Sequence, residues 1–589
     1  MRLPVFKYKD PYKRRIVTFG GINRLRGFSE GELYDCSGIS HENFPSLTQR
    51  RKSEIDFPCE NPVAATFGNK ECIVANSVLY YDRKEVGKLS EGEKSIVQMG
   101  NRIVVFPDKM YFDIETEKFL SLEGLCSLSN IKVLFSGNKI SLPEVSYRTV
   151  STFESIMVKE NKYIFRYSEV GIENGTITFS EAEKIKAKEL SEGDFFSEIS
   201  GTQYYRIVKN VTTEDGKTVV LNECVTAETY GKDVFSQFSP GDIVEISGCE
   251  YNENNKQAKI IETGDNYLLF ENDTFEEKTE TVSVVIKRNI PDFSCVCTYK
   301  NRMWGCFGNT IYASALGDPT NYFKYSNLST DSFTVESDSP EDFTAAKVYG
   351  NYCLFFKQNK CYRLYGDRPA NFQLVETFQG GISAEDSKSI ADVGGKILYK
   401  GNGGVYSFYG GTPQKISDKL GEIKLSNCVA GGFLDCYYLS ADTENGREEF
   451  IFDTKRGLWT RSGIKDVKGY FSCADKMYRL MNDGIYCITE KIDDSHEWFA
   501  EFCPFDEDYY KTKNYSRIYI TAQLFENSVI KTEISRDGGE WQTVSLNYGS
   551  RKEYINIPCP VKGCHEIKIR ISGKGKSIIQ SIVREFSVN

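Results

Sequence analysis

Three histidines, His41, His496 and His565, are all that this chain of 589 residues offers for general acid–base work near neutral pH. None lies in a metalloprotease spacing or beside a Ser or Cys placed to act as a nucleophile. Cys559, Cys564 and His565, with Cys503 or His496 brought near, offer zinc-type donors, but no paired C-x-x-C knuckle accompanies them. Aspartates and glutamates number 83, enough for a glycosidase pair, yet nothing in the linear sequence nominates two of them. The Gly401 to Gly404 run (GNGG) sits between two β-forming runs and not ahead of a helix, so it reads as a tight turn and not a phosphate cradle. No residue is assigned as catalytic, and no metal or cofactor is expected.

The elements that would have to position any site are hairpins with one signature: an apolar β-forming run, a short turn centred on Asn, Asp, Gly or Lys, then an aromatic. It reads ECIVANSVLYYD (71–82), NRIVVFPDKMYFD (101–113), NRMWGCFGNTIYAS (301–314), NYCLFFKQNKCYRLYG (351–366), GKILYKGNGGVYSFYG (395–410), LDCYYLS with EEFIFD (434–453) and SCADKMYRLMNDGIYCI (472–488). The aromatics after the turns, Tyr80, Tyr111, Tyr312, Tyr362, Tyr406, Phe452 and Tyr486, are spaced by 31, 201, 50, 44, 46 and 34 residues. Most of these intervals suit one four-stranded propeller blade. The expected fold is therefore an all-β propeller of six or seven blades, with Trp304, Tyr312, Tyr362, Tyr406, Trp459 and Tyr486 packing the blade cores.

Aromatics make up 13% of the chain, and helical periodicity is hard to find. No stretch reaches the roughly 18 apolar residues of a membrane helix, and the first residues lack a signal-peptide core, so synthesis in the cytoplasm is expected. The 18 cysteines are scattered through strand cores, as at Cys72, Cys353, Cys436 and Cys487, and read as small buried hydrophobes. Net charge is −10, against a surface that grips nucleic acid tightly. The exception is the arm KYKDPYKRR (7–15), where Lys13, Arg14 and Arg15 are candidates for docking on an acidic partner.

The 201-residue interval marks an insertion between Leu142 and Pro291. Within it, residues 238–275 alternate turns with IVEI, AKII and YLLF, as a small bent barrel or sandwich does, and KYIFRYS, YYRIVKN and KTVVLNE suggest a second lobe. Beyond residue 490, RIYITAQL, VIKTEIS, WQTVSLN, EYINIP, EIKIRISG and SIIQSIVREFSV read as a β-sandwich. The expected order is an N-terminal arm (1–55), the first part of the propeller (56–142), the insertion (143–290), the second part (291–490) and a C-terminal sandwich (491–589). In that sandwich SRDGGEW (535–541) approaches the Ser-x-Asp-x-Gly-x-x-Trp box of sialidase-type propellers but is one residue short, and it reads as a hairpin turn.

Several stretches resemble a known family. TFGGINRLRGFSEGELYDCSGISHENFPSLTQRRK (18–52) is similar to the opening of virion propeller proteins from phages and prophages of Gram-positive gut bacteria. CTYKNRMWGCFGNTIYASALGDPTNYF (297–323) resembles their most recognisable blade, followed by LFFKQNKCYRLYGDRPANFQL (354–374), KILYKGNGGVYSFYGGTPQKIS (396–417) and FDTKRGLWTRSG (452–463), and HEIKIRISGKGKSIIQSIVREF (565–586) resembles their terminal sandwich. The resemblance implies an architecture like that of the tail nozzle, or packaged-DNA stabilisation, proteins of short-tailed phages. It implies a homo-oligomeric ring in the virion tail, assembled in the host cytoplasm below portal and adaptor. Such a ring carries tail fibres and lets DNA pass without sequence-specific binding. Two other classes remain open: a receptor- or glycan-binding tail protein, marked by clustered exposed aromatics, and a propeller glycoside hydrolase.

Overall fold

The computed structural model describes residues 11–67, 69–128, 133–142, 234–272, 275–280, 283–549 and 552–589, and within 143–233 the backbone of strands alone. It is all-β, with four short 3-10 helices among the described residues. By internal contact the chain forms two units, one made of 1–120, 292–317 and 334–589, the other of 121–291 and 318–333.

The first unit contains seven four-stranded antiparallel sheets. The first is Val63–Phe67, Lys70–Ala75, Val78–Tyr81 and Lys84–Lys88, and the second Ser95–Met99, Arg102–Phe106, Met110–Asp113 and Lys118–Ser121. The third is Cys295–Tyr299, Arg302–Phe307, Thr310–Ala313 and Phe333–Glu336, the fourth Ala345–Tyr349, Tyr352–Phe356, Lys360–Tyr365 and Gln373–Gln379. The fifth is Ala391–Val393, Lys396–Gly401, Gly404–Phe408 and Gln414–Lys415, the sixth Ser426–Phe433, Cys436–Thr443, Gly446–Asp453 and Leu458–Arg461. The seventh takes Gly469–Cys473, Lys476–Met481 and Gly484–Ile492 from one end of the chain and Arg51–Pro58 from the other.

Each of the seven aromatics that follow a turn lies in the third strand of its sheet. Several connections have positive φ at both central residues, as at Asn76–Ser77, Lys300–Asn301 and Gly394–Gly395. That backbone twist matches the twist of the strands it joins, which is why Asn and Gly recur there.

The alternation of side chains explains why the second strands read as unbroken apolar runs. In Lys70–Ala75, Cys72 and Val74 pack with Ile103, Val105 and Phe112 of the second sheet. Ile73 and Ala75 pack with Phe471, Tyr478 and Leu480 of the seventh. Both faces of the sheet are buried, so both sets of alternate positions must be apolar. First strands lie side by side from the first sheet to the fourth and from the fifth to the seventh, and the seventh lies against the first. The short helix Ala384–Ser389 stands beside the first strand of the fourth sheet and packs on that of the sixth.

Two further sheets are built from both ends of the chain. One holds Ile39–Ser40, Leu47–Gln49, Ser577–Val588, Lys513–Leu524 and Lys552–Cys564, with Tyr12–Ile16 also on Ser577–Val588. The other holds Leu33–Ser37, Glu497–Phe502, Ile567–Lys574, Ser528–Arg536 and Gln542–Gly549. The structure corrects the expected N-terminal arm of residues 1–55. From Tyr12 onward this segment supplies strands to both terminal sheets and to the seventh four-stranded sheet. Its strands are two to eight residues long and show no clear period, yet Phe19, Ile22, Leu33, Cys36, Ile39 and Leu47 enter one core with Ile518, Ile569, Ile582 and Trp459.

The second unit starts earlier than the expected insertion. Leu125–Leu128, Val133–Gly137 and Lys139–Ser141 join Ile243–Ser247, Gln257–Thr263, Tyr267–Phe270, Phe275–Glu280 and Val284–Arg288 in one eight-stranded sheet. The sequence reading placed the first three in the propeller, but although Val133–Gly137 and Lys139–Ser141 form a hairpin, all three also pair with strands beyond residue 240. Asp318–Phe333, whose first six residues end the stretch 297–323 read in the sequence as a blade, also groups with this unit. Its core closes on Val133, Phe135, Ile140, Ile260, Phe270 and Ile286, and Arg288 and Asp242 form a buried ion pair of 2.6 Å. The side chains of the second lobe read from residues 150–235 lie outside the described residues up to Val234.

Candidate functional site

Lys13, Arg14 and Arg15 lie on Tyr12–Ile16, in antiparallel register with Ile582–Phe586. Lys13 Nζ is 3.3 Å from Glu585, and Arg14 Nη1 is 2.6 Å from Asp508 and 3.7 Å from Glu30. Beneath them the fully buried Arg584 makes a two-pronged contact with Glu507, at 2.7 and 3.0 Å, and reaches Glu30 at 2.6 Å. A hydrogen bond from Ser516, with help from Lys13, holds the Glu585 carboxyl below its ordinary range. The acidic rim expected on a partner is thus found within this chain for Lys13 and Arg14, which tie the first strand to the last. Arg15 remains exposed.

A cavity of about 1160 Å³ opens among residues of the first, second, fifth, sixth and seventh sheets and the segments that lead into them. Several of its charges are paired. Lys388 bridges to Glu93 at 2.9 Å, Lys94 to Asp108 at 2.6 Å, and Arg447 to Asp442 at 2.9 Å. The hydrogen bond from Asn427, with the one from Arg447, holds Asp442 below the usual carboxylate range. That is the wrong direction for a general acid at neutral pH. Among the described residues, no three His, Cys, Asp or Glu side chains converge as metal ligands.

One grouping of catalytic type escaped the sequence reading. Ser495, His496 and Asp493 meet, with Ser495 Oγ 3.0 Å and Asp493 Oδ1 3.2 Å from His496 Nδ1. A working triad needs its Ser and Asp on opposite ring nitrogens. Here both approach the same one, and Asp493 is taken by Arg50, whose Nε and Nη2 stand 3.1 and 2.9 Å from Oδ2. His41 is buried and its Nε2 lies 3.1 Å from the Gly20 carbonyl, and His565 is exposed with its backbone N–H on Asp537. Cys559 and Cys564 are buried free thiols, and burial pushes Cys559 up to about 11.

Burial works against the Asp493 charge, but hydrogen bonds from Arg50, Ser495 and His496 outweigh it and lower its pKa from 3.8 to about 2. A depressed carboxylate contributes stability above its unfolded pKa and loses it as pH falls through the folded one. The pair should therefore lose about 2 kcal/mol between pH 4 and pH 2. Urea titrations over that range should show a shallower acid loss for Asp493→Asn than for the parent chain, and equal slopes would contradict this assignment.

The six packing positions divide. Trp304 and Trp459 are fully buried, with their indole N–H groups on the carbonyls of Tyr299 (3.1 Å) and Ile416 (2.8 Å). Tyr362 is buried, its hydroxyl on Asp338. Tyr312, Tyr406 and Tyr486 are half-buried, and Tyr406 packs against the core shared by the fourth and fifth sheets. Tyr406 and Tyr486 turn their hydroxyls to the Asn402 carbonyl and Asp483, a solvent-side use that the tyrosine ring permits.

The charged residues that hold the sheets together were also missed. Arg479 Nε and Nη2 stand 2.7 and 2.8 Å from the two Glu449 oxygens, and its Nη1 donates to Ser53. Tyr470 donates to the same glutamate at 2.9 Å. The group joins the sixth sheet, the seventh and the N-terminal strand. Its signal in sequence is a charge inside an apolar run, EEFIFD and MYRLM.

No family model matches the chain, and no curated protein matches it. The solved structures similar to it include the exo-β-1,3-galactanase of Phanerochaete chrysosporium with galactose, at 9% identity over 50% of this chain and 96% of that one, with a TM-score of 0.19. They also include PorZ, a bacterial surface component of the type-IX secretion system of Porphyromonas gingivalis, at 9% identity over 91% and 89%, with a TM-score of 0.22. Agreement at this level fixes neither detailed fold nor activity.

Proposed function

We propose that this chain is a structural subunit of a phage or prophage tail, a nozzle or hub protein that assembles with copies of itself into a ring. In this reading the seven sheets are the blades of a seven-bladed propeller, and Arg51–Pro58 closes it by completing the last blade. The observation that carries the reading is the use of both chain ends to lock the body. The N-terminal segment enters the seventh sheet and both terminal sheets, and the buried Arg50–Asp493 ion pair and the Arg479–Ser53 hydrogen bond fasten it there. In this reading such a body is a stiff wall, suited to a channel that must withstand DNA passage, and the sequence resemblance to virion propeller proteins supports the virion setting. Portal or adaptor and tail-fibre proteins are the partners, and no residue is assigned a catalytic role.

Docking passes from Lys13 and Arg14, which are spent internally, to the remaining surface of the terminal sheets and to the second unit. Mass spectrometry of purified virions or induced prophage particles tests the reading. The chain should be present in a fixed ratio to the portal protein. Its absence from particles that contain the other tail proteins would overturn the assignment.

A further inference from the structure

His41 sits in the loop that joins Ile39–Ser40 to Leu47–Gln49, buried at 7% exposure. Its Nε2 lies 3.1 Å from the Gly20 carbonyl, and among the described residues Nδ1 has no hydrogen-bond partner. The loop holds the Gly20 segment at a second point, where the Phe19 N–H donates to the Pro45 carbonyl at 3.0 Å. That segment is fastened in turn to the sixth sheet. The Ile22 N–H donates to the Trp459 carbonyl at 2.8 Å, and Gly21 lies so close that a Cβ on it would stand 2.7 Å from the Trp459 backbone. His41 is thus one end of a line of contacts that runs through residues 19–22 to the sixth sheet.

The carboxylates around the ring are already paired. On the sixth sheet Asp453 would attract an imidazolium, but it is bound to Arg456 at 2.5 Å, and Arg456 repels one. The same Arg456 stands over the Phe44 ring of the loop that carries His41, 5.0 Å from its centre. On that loop Glu42 is drawn to Arg51 at 2.7 Å, and beside Gly20 the carboxylate of Glu32 meets Lys419 at 2.7 Å. Burial is the largest influence on the imidazole and lowers its pKa from the ordinary 6.5, against the pull of the Gly20 carbonyl and Asp453. A charged ring regains its hydration only by leaving this pocket, and leaving breaks its bond to Gly20.

We propose that His41 is an acid-sensitive latch: a second proton drives its ring out of the pocket and frees residues 19–22 from the sixth sheet. The closed form favours the neutral ring, so the latch is fully engaged above pH 6.5 and weakens as the pH falls below it, until the closed form itself takes the proton. Within that window the open form gains about tenfold for each pH unit. The latch belongs to a single chain and holds whether or not copies assemble into a ring.

Hydrogen exchange of the full chain, read by mass spectrometry at pH 7.5, 6.5, 5.5 and 5.0 and corrected for intrinsic rates, tests it. Peptides covering residues 17–23 and 41–46 should exchange at least about tenfold faster at pH 5.0 than at pH 7.5. Strand Lys396–Gly401 of the fifth sheet should stay protected throughout. His41→Gln, which keeps a neutral donor for the Gly20 carbonyl, should remove the acid response. Arg456→Gln removes the opposing cation and should at least halve it, and this variant carries the test if His41→Gln folds poorly. Exchange that is insensitive to pH, acceleration spread evenly over the first unit, or an acid response unchanged in whichever of these variants folds would overturn the proposal.

Discussion

Deletion of residues 1–58 is expected to abolish cooperative folding of the first unit. The cut removes the fourth strand of the seventh sheet and four strands of the terminal sheets. It also takes Phe19, Ile22, Leu33, Ile39 and Leu47 out of a shared core, all of them at most 1% exposed. At roughly 1.5 to 3 kcal/mol for each large apolar side chain, those five account for about 8 to 15 kcal/mol. That is comparable with the whole net stability of a typical domain. Arg479 and Asp493 would lose Ser53 and Arg50 in the same step. Circular dichroism with thermal melting is the check. A truncated chain that melts cooperatively within a few degrees of the full one would show that the N-terminal strands are an accessory.

The second large effect is expected at Glu449. With Glu449→Ala, Arg479 keeps its Ser53 contact but becomes a charge buried at 2% exposure without its carboxylate, and Tyr470 loses its acceptor. Leaving one member of a buried pair costs about 3 to 5 kcal/mol. The double change Glu449→Leu with Arg479→Met should recover most of that loss, because removing both charges removes the desolvation penalty as well. Denaturant midpoints of the three variants measure it. A Glu449→Ala chain as stable as its parent would mean that water reaches the pair.

The parts of the fold legible in the sequence are those in which a local pattern meets a local partner. All seven hairpins fall where an apolar run, a turn residue and an aromatic follow one another, because each strand pairs with its neighbour in sequence. Six of the seven strands that begin after residue 490 were legible through alternation such as IKIRIS, although most of them pair with strands that are not their neighbours in sequence, and Glu497–Phe502 was missed. Contacts between the two ends of the chain were not. Arg51–Pro58 carries the mixed pattern RKSEIDFP and gives no hint that its partner is Gly484–Ile492. The basic arm misled for a related reason: Lys13 and Arg14 read as unpaired charges because Glu585 and Asp508 lie some five hundred residues away. Strands 125–141 were placed with the propeller because a short apolar strand looks the same in either unit, and only its distant partner decides. Tyr312, Tyr362, Tyr406 and Tyr486 were all counted as packing markers. Which of them face water depends on the neighbouring sheet, and no periodicity reports that.

The claim that this chain is a ring-forming tail subunit is tested most directly by negative-stain electron microscopy of the purified full-length protein, with light scattering on the same sample. The account predicts closed rings or short stacked tubes with a central opening, and a mass that is a fixed multiple of 66.9 kDa. Discrete monomers at every concentration, or trimeric fibres, would contradict it and return the chain to the receptor-binding or enzymatic classes.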